Sequence, residues 1–249
     1  MSSKLAIVIL AAGKGKRMNN PEMAKVLYPV AGRPMIDHVV DRALGLSPEK
    51  IVVVVGHQKN LVMDHLKAVY PGKPIEFVEQ REQLGTGHAV MQCEAALLHF
   101  DGDVMILSGD VPLLSAATME RLIGEHRASA SPVTMITADL ADPTGYGRIV
   151  RNGNASVKKI VEHKDATDAE KALTEINAGI YVFDRRVLFD ALTHVVPNNA
   201  QGEYYLTDVL GILSSVGHEI TAVKVDNPDE VLGVNTVAQL EEMNAKFRA

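Results

Sequence analysis

The stretch KLAIVILAAGKGKRM (residues 4–18) sets Gly13, Gly15 and three cations, Lys14, Lys16 and Arg17, directly after an aliphatic run. Small residues at 11–13 and 15 allow close backbone approach to a ligand, and glycine permits the tight turn such a loop needs. A turn with exposed N–H groups is a concavity for anions, and nearby Lys25 adds a further cation. This is chemistry suited to a phosphate-bearing ligand. Two common phosphate loops are excluded. Met18 stands where the dinucleotide fingerprint requires its third glycine, and no Gly-Lys-Ser/Thr closes a phosphate-binding loop of the other kind. Taken singly, these cations are equally well explained by a solvated surface, and Lys14 and Lys16 stay nearest that explanation.

Asp110, in GDVPL (109–113), is the next candidate. A carboxylate after a strand and a glycine suits either a cation at a sheet rim or a plain turn or helix cap. Cys93 is the single cysteine, so no intrachain disulfide forms and a reducing compartment is expected. With Ala89, Val90, Ala96, Leu97 and Phe100 at helical spacing, Cys93 reads as a core residue of one helix, not a nucleophile. The nine histidines show no zinc-ligand spacing; His57, His88 and His163 merely adjoin candidate loops.

These residues need elements to hold them. At 249 residues, 47% apolar and 22% charged, the chain has ample material for a core. A net charge of −6 argues against general nucleic-acid binding. The apolar start is too short for a membrane span and is followed by cations instead of a cleavage site, which points to the cytoplasm. Strand-like runs at 5–10, 50–56, 75–80, 103–110 and 132–140 alternate with helical patterns at 34–45, 61–70, 89–100 and 116–127. Such alternation predicts an α/β fold with a doubly wound, mostly parallel sheet. Ligands of these sheets lie beyond the strand carboxyl ends, which would bring residues 11–17, Gly56–His57 and Gly109–Asp110 to one rim.

The second half reads as mixed α+β. A hairpin is predicted around Asn152-Gly153, a capping box at Thr167 and Glu170, and a strand over 175–184. Helices are expected at 186–195 and 205–215, a last strand at 219–225, and a C-terminal helix capped by Thr236. No linker or repeat divides the chain, so a single domain over 1–249 is expected. Its nucleotide-binding half would occupy roughly 1–140, its sugar-binding half 141–235, and its terminal helix 236–249.

The loop LAAGKGKRM with KVL (25–27) resembles the signature of the sugar-nucleotide pyrophosphorylases, which are nucleotidyltransferases. Further segments follow in order: EQLGTGHA (82–89), GDVPL, DPTGYGRI (142–149), VEHKDAT (161–167), EINAGI (175–180), NNAQGEYYLTD (198–208) and GVN (233–235). Together they cover nearly the whole chain and resemble the bacterial N-acetylglucosamine-1-phosphate uridyltransferases of that family. The resemblance implies a Rossmann-like sheet and a reaction of UTP with N-acetylglucosamine 1-phosphate, giving UDP-N-acetylglucosamine and pyrophosphate with Mg²⁺.

By the same resemblance, Asp110 and Asn235 are the metal ligands, and Arg17 and Lys25 the catalytic cations that hold the triphosphate. Leu10, Ala11, Ala12, Gly13, Gln80, Gly85 and Thr86 match uracil- and ribose-reading positions, with Ser108 and Gly109 beside them. Gly147, Glu162, Asn177 and Tyr204 match sugar-binding positions, although Asn177 would serve equally to satisfy backbone at a bulge. Alternatives are the same chemistry on another hexose 1-phosphate or with dTTP, or a non-catalytic regulatory subunit that binds sugar nucleotide. Oligomeric state is not readable.

The chain departs from the family pattern at Lys16, where a small hydroxyl residue is frequent, at Ala24, where proline is common, and at Ser108, where some relatives carry tyrosine. No hexapeptide repeat of the left-handed β-helix appears, so the acetyltransferase activity associated with that helix is expected to be absent.

Overall fold

The structure, a computed structural model, describes residues 4–18, 20, 22–129, 131–153 and 156–247. The last two residues of the region given to the C-terminal helix lie outside these.

The first half contains β1 (Leu5–Ala11), β2 (Pro29–Val30), β3 (Arg33–Pro34), α1 (Met35–Gly45), β4 (Lys50–Val55), α2 (Lys59–Val69) and β5 (Ile75–Glu79). It continues with α3 (Thr86–Met91), α4 (Glu94–Leu97), β6 (Asp103–Ser108), α5 (Ala116–Ala128) and β7 (Val133–Asp139). The second half contains β8 (Arg148–Arg151), β9 (Val157–Val161), α6 (Asp168–Lys171), β10 (Glu175–Asp184), α7 (Arg185–Leu192), α8 (Asp208–Ser215), β11 (Thr221–Lys224) and α9 (Val237–Lys246).

The main sheet runs β11-β7-β10-β6-β1-β4-β5 among the described residues. All neighbours on that path are parallel except β10, which lies antiparallel between β6 and β7. Strands from both halves therefore share one sheet. The β8–β9 hairpin joins it where Ile176 of β10 pairs with Arg148.

The aliphatic runs of β1, β4 and β6 follow from burial on both faces. Along β1, Ile7 and Ile9 point to a cluster with α1, α2 and α5, through Ile36, Val62 and Met119. Ala6 and Val8 point the other way, toward α3, α7 and α8, through Val90, Leu188 and Val209. Each fully buried isoleucine contributes about 1.5–3 kcal/mol.

The predicted caps form. Thr167 and Glu170 make a reciprocal capping box on α6, and the Thr236 side chain accepts the Gln239 N–H at the start of α9. The helix expected through Cys93 is corrected: it breaks into α3 and α4. The His88 carbonyl there accepts the Gln92 side-chain amide at 3.1 Å, while Cys93 N–H reaches only three residues back, to Val90 O at 2.9 Å. Cys93 is fully buried, as expected, and burial pushes its thiol pKa up to about 12.

Because Ile7 is fully buried in the cluster with α1, α2 and α5, Ile7→Ala should lower unfolding free energy by about 2–5 kcal/mol. Urea titration followed by circular dichroism would measure this, and a loss below 1 kcal/mol would mean the two faces repack independently.

Candidate active site

The carboxyl ends of β1, β4 and β6 meet at one rim, as the alternation predicted. Gly109 N–H donates to Leu10 O at 3.0 Å and His57 N–H to Ala12 O at 3.3 Å, which ties three strand ends together. Gly109 suits that approach, since a Cβ would sit a tight 3.2 Å from Leu10 O and from Val26. Over this rim opens a cleft of about 590 Å³. Leu10, Ala11, Ala12 and Gly13 line it on the loop side, and Gln80, Gly85, Thr86 and Ser108 line the facing side. Lys25 and Asp110 line its end.

The glycine-rich loop is shaped by Gly15, at φ +58°, where a Cβ would fall 2.9 Å from Lys25 Cβ. Residues 16–18 make a single 3₁₀ turn that buries Met18 against Val30, Met35, Val234 and Met243. Lys14 and Lys16, left nearest the solvated surface by the sequence reading, line the cleft. Arg17 is exposed on the same turn and is not among the lining residues.

The loop's packing presents Lys25 to two distant oxygens. Its ammonium pairs closely with Asp110 Oδ2 and donates to Asn235 Oδ1 at 3.0 Å. An ammonium has only donors, so the amide oxygen of Asn235 is the atom that faces it. Asn235 is held by its own N–H to Gln239 Oε1 at 2.8 Å, and Val234 N–H reaches Asp110 O at 3.0 Å. Tyr146, whose pKa is raised chiefly by burial, accepts the Gly233 N–H. A carboxylate and an amide oxygen thus converge on one positive charge. That donor pair fits a hard divalent cation, with phosphate oxygens and water completing the shell; Lys25 Nζ is the cation standing there. Among the described residues no cluster of three His, Cys, Asp or Glu side chains offers a metal site.

At the other end Gln80 is buried, and its Nε2 donates to Gly85 O at 3.0 Å with His88 Nδ1 at 3.2 Å. A carbonyl only accepts, so the amide nitrogen is committed inward, and among the described residues no donor meets Oε1. Gly85 adopts φ +110°, and a Cβ there would meet Tyr204 O at 2.5 Å. Tyr204 acts here through its backbone, taking Gly87 N–H at 2.8 Å and donating to Leu84 O at 2.7 Å.

Gly147, Glu162 and Asn177 form a group of their own, and neither they nor Tyr204 are among the residues that line the cleft. Asn177 N–H donates to Gly147 O at 2.9 Å, and a Cβ on Gly147 would meet Ile160 at 2.9 Å and Glu162 at 3.5 Å. Burial raises the Glu162 pKa, and Asp208, Asp165 and Glu203 add to that; a hydrogen bond from Thr207 at 3.1 Å opposes it.

Sequence reasoning missed Lys164, Gln201 and Glu203, which also line the cleft. Lys164 Nζ donates to Gln201 Oε1 at 2.6 Å. The lysine lay in plain view in VEHKDAT, but nothing local gave its direction. A second cavity, of about 610 Å³, lies by Lys4, Leu46, Glu49 and Arg127 at the strands' amino ends. Its cations are already paired with Glu49 and Asp103, and ligands of such sheets sit at the opposite rim.

The fold sets a cleft with a glycine-rich loop, Lys25 and Asp110 at the strand carboxyl ends, and comparison with known proteins gives the class. Residues 6–229 match the nucleotidyl transferase family model, and the chain belongs to that family. Within it, the chain is similar to the bifunctional protein GlmU of Halalkalibacterium halodurans, with 48% identity over 246 residues, 98% of this chain and 52% of that protein. The bifunctional protein GlmU of Bacillus cereus strain AH187 is likewise 48% identical over 242 residues, 97% of this chain and 51% of that protein. The chain spans about half the length of these curated relatives. A structure of UDP-glucose pyrophosphorylase complexed with UDP-glucose shares the fold, with a TM-score of 0.77 at 18% identity over 98% of both chains. No helix among the described residues is long and apolar enough to cross a membrane.

The raised Glu162 pKa has a sign that stability can test. The folded state binds this proton more tightly than the unfolded chain, so the group disfavours folding above its ordinary pKa of 4.5 and the penalty fades as pH falls. Glu162→Gln should therefore be more stable than the parent at pH 7.5, with the gap narrowing toward pH 4.5. A melting-temperature difference independent of pH would contradict this.

Proposed function

We propose that the protein transfers the uridylyl group of UTP to N-acetylglucosamine 1-phosphate, forming UDP-N-acetylglucosamine and pyrophosphate. The observation that carries this reading is the convergence of Asp110, Asn235 and Lys25 at the end of a cleft lined by the glycine-rich loop. The motif set and the 48% identity to the GlmU proteins support the choice of substrates.

In the reaction a phosphate oxygen of the sugar phosphate attacks the α-phosphorus of UTP. The bond from that phosphorus to the β-bridging oxygen breaks, and pyrophosphate leaves with the electron pair. No nucleophilic side chain is needed; the chain's task is to position two polyanions and offset their charge. Lys25, with Lys14 and Lys16 along the cleft, supplies positive charge to the phosphates, and Arg17 on the same loop is assigned to the departing pyrophosphate. Asp110 and Asn235 would hold Mg²⁺, which when bound supplies Lewis-acid neutralisation of phosphate charge. Gln80 Oε1 suits the imide N–H of uracil and not cytosine, whose ring nitrogen at that position carries no proton. Gly147, Glu162, Asn177 and the segment around Tyr204 form the sugar side. Use of UTP in a chain whose one thiol is buried fits the cytoplasm.

The test is pyrophosphate release with Mg²⁺ from UTP and N-acetylglucosamine 1-phosphate, beside UTP with glucose 1-phosphate and dTTP with each sugar. Fast release is expected with the first pair alone. Release with another pair would replace the substrate, and no release with retained UDP-N-acetylglucosamine binding would mean a binding module. Asp110→Ala and Lys25→Ala should each lower kcat on the order of 10²–10³-fold, and unchanged turnover in either would remove it from the mechanism.

A further inference from the structure

The pairing of β10 with β7 is irregular, and that irregularity sits on the sugar side. Along β10, Asn177 faces Thr137 of β7 and Tyr181 faces Met135, so four residues on one strand span two on the other. Gly179 takes up the excess at φ +72°, and a Cβ there would lie 3.8 Å from Ser108 Oγ, which lines the cleft. Bulges of this kind re-aim a side chain.

The re-aimed side chain is Asn177, and its orientation is fixed by chemistry. The Gly179 N–H lies 3.1 Å from Asn177 Oδ1. A backbone N–H can only donate, so the atom it faces must be the amide oxygen. The Tyr181 hydroxyl donates to the same oxygen at 2.9 Å. Tyr181 is 2% exposed and Asn177 9%, so the oxygen is anchored from the interior. Both oxygen sites are then taken, and no acceptor for Asn177 Nδ2 stands among the described residues.

We infer that Tyr181 is a positioning residue: its hydroxyl locks the Asn177 carboxamide with the NH₂ turned outward, as a hydrogen-bond donor to an oxygen of the bound hexose. Glu162, near enough to act electrostatically on the Tyr181 phenol, supplies the matching acceptor. An outward donor beside an acceptor suits two neighbouring oxygens of a pyranose ring, one accepting from Asn177 and one donating to Glu162. Without the Tyr181 hydroxyl only Gly179 would hold the carboxamide, whose terminal torsion has two broad wells. This inference rests on the assignment of Asn177 to the sugar side.

The experiment is a double-mutant cycle with Asn177→Ala, Tyr181→Phe and the pair, reading KM separately for N-acetylglucosamine 1-phosphate and for UTP. Tyr181→Phe should raise the sugar-phosphate KM roughly three- to tenfold, the worth of one hydrogen bond, and leave the UTP KM unchanged. In the Asn177→Ala background the same change should add nothing. If Asn177→Ala leaves the sugar-phosphate KM alone, the assignment of that residue fails and the proposal with it. If Asn177→Ala matters but Tyr181→Phe behaves as the parent, or the two effects simply add, the positioning role is overturned while the sugar site stands. Melting curves of each variant separate these results from a loss of fold: a Tyr181→Phe protein that loses both KM values together with stability would mark the tyrosine as merely structural.

Discussion

The site depends on one buried charge being shared. Lys25, Asp110 and Asn235 come from segments 85 and 210 residues apart, and each is held by separate packing. Met18 and Val30 seat the first segment against α9, the end of β6 delivers the second, and the GVN turn before α9 brings the third. In a mostly buried position an unpaired ammonium or carboxylate is costly. The three elements must therefore close together or leave a charge stranded. The same arithmetic suits the site to polyphosphate and metal, which offer each partner a replacement for the one it gives up.

Around that junction the division of labour follows the sheet. Parallel strands with apolar faces on both sides form the floor, and their carboxyl ends carry the loops that line the cleft. The antiparallel β10 crosses between β6 and β7 and carries the bulged segment with Asn177. Tyr146 ties the two regions, since its phenol accepts from Gly233 two residues before Asn235 while its own neighbour is Gly147. The group around Gly147 is thus one residue removed from the turn that carries Asn235.

Much of this was legible in the chain because the signals are local. An aliphatic run ending in small residues marks a buried strand that runs into a tight loop, and Thr167 with Glu170 or Thr236 before α9 are short-range caps. What escaped is what depends on distance or direction. Nothing near Lys25 announces Asn235. The lysines at 14 and 16 read as solvent-facing and are exposed, as Arg17 is, but only the two lysines are also at the wall of the cleft, a direction that nothing in their own segment announces. The antiparallel insertion of β10 has no mark in its own residues, since a strand buried on both faces reads the same in either direction. Arg148, only 1% exposed in a strand and bonded to Tyr146 O, ran against the rule that arginine faces water.

The break between α3 and α4 leaves Cys93 sealed against the sheet, with its thiol far from ionising at neutral pH. Thiolate is the form that reacts with alkylating agents, peroxide and disulfides. The protein's only sulfhydryl is therefore chemically silent in the folded state. A cysteine introduced on the surface can therefore carry a spectroscopic label without the native one being removed.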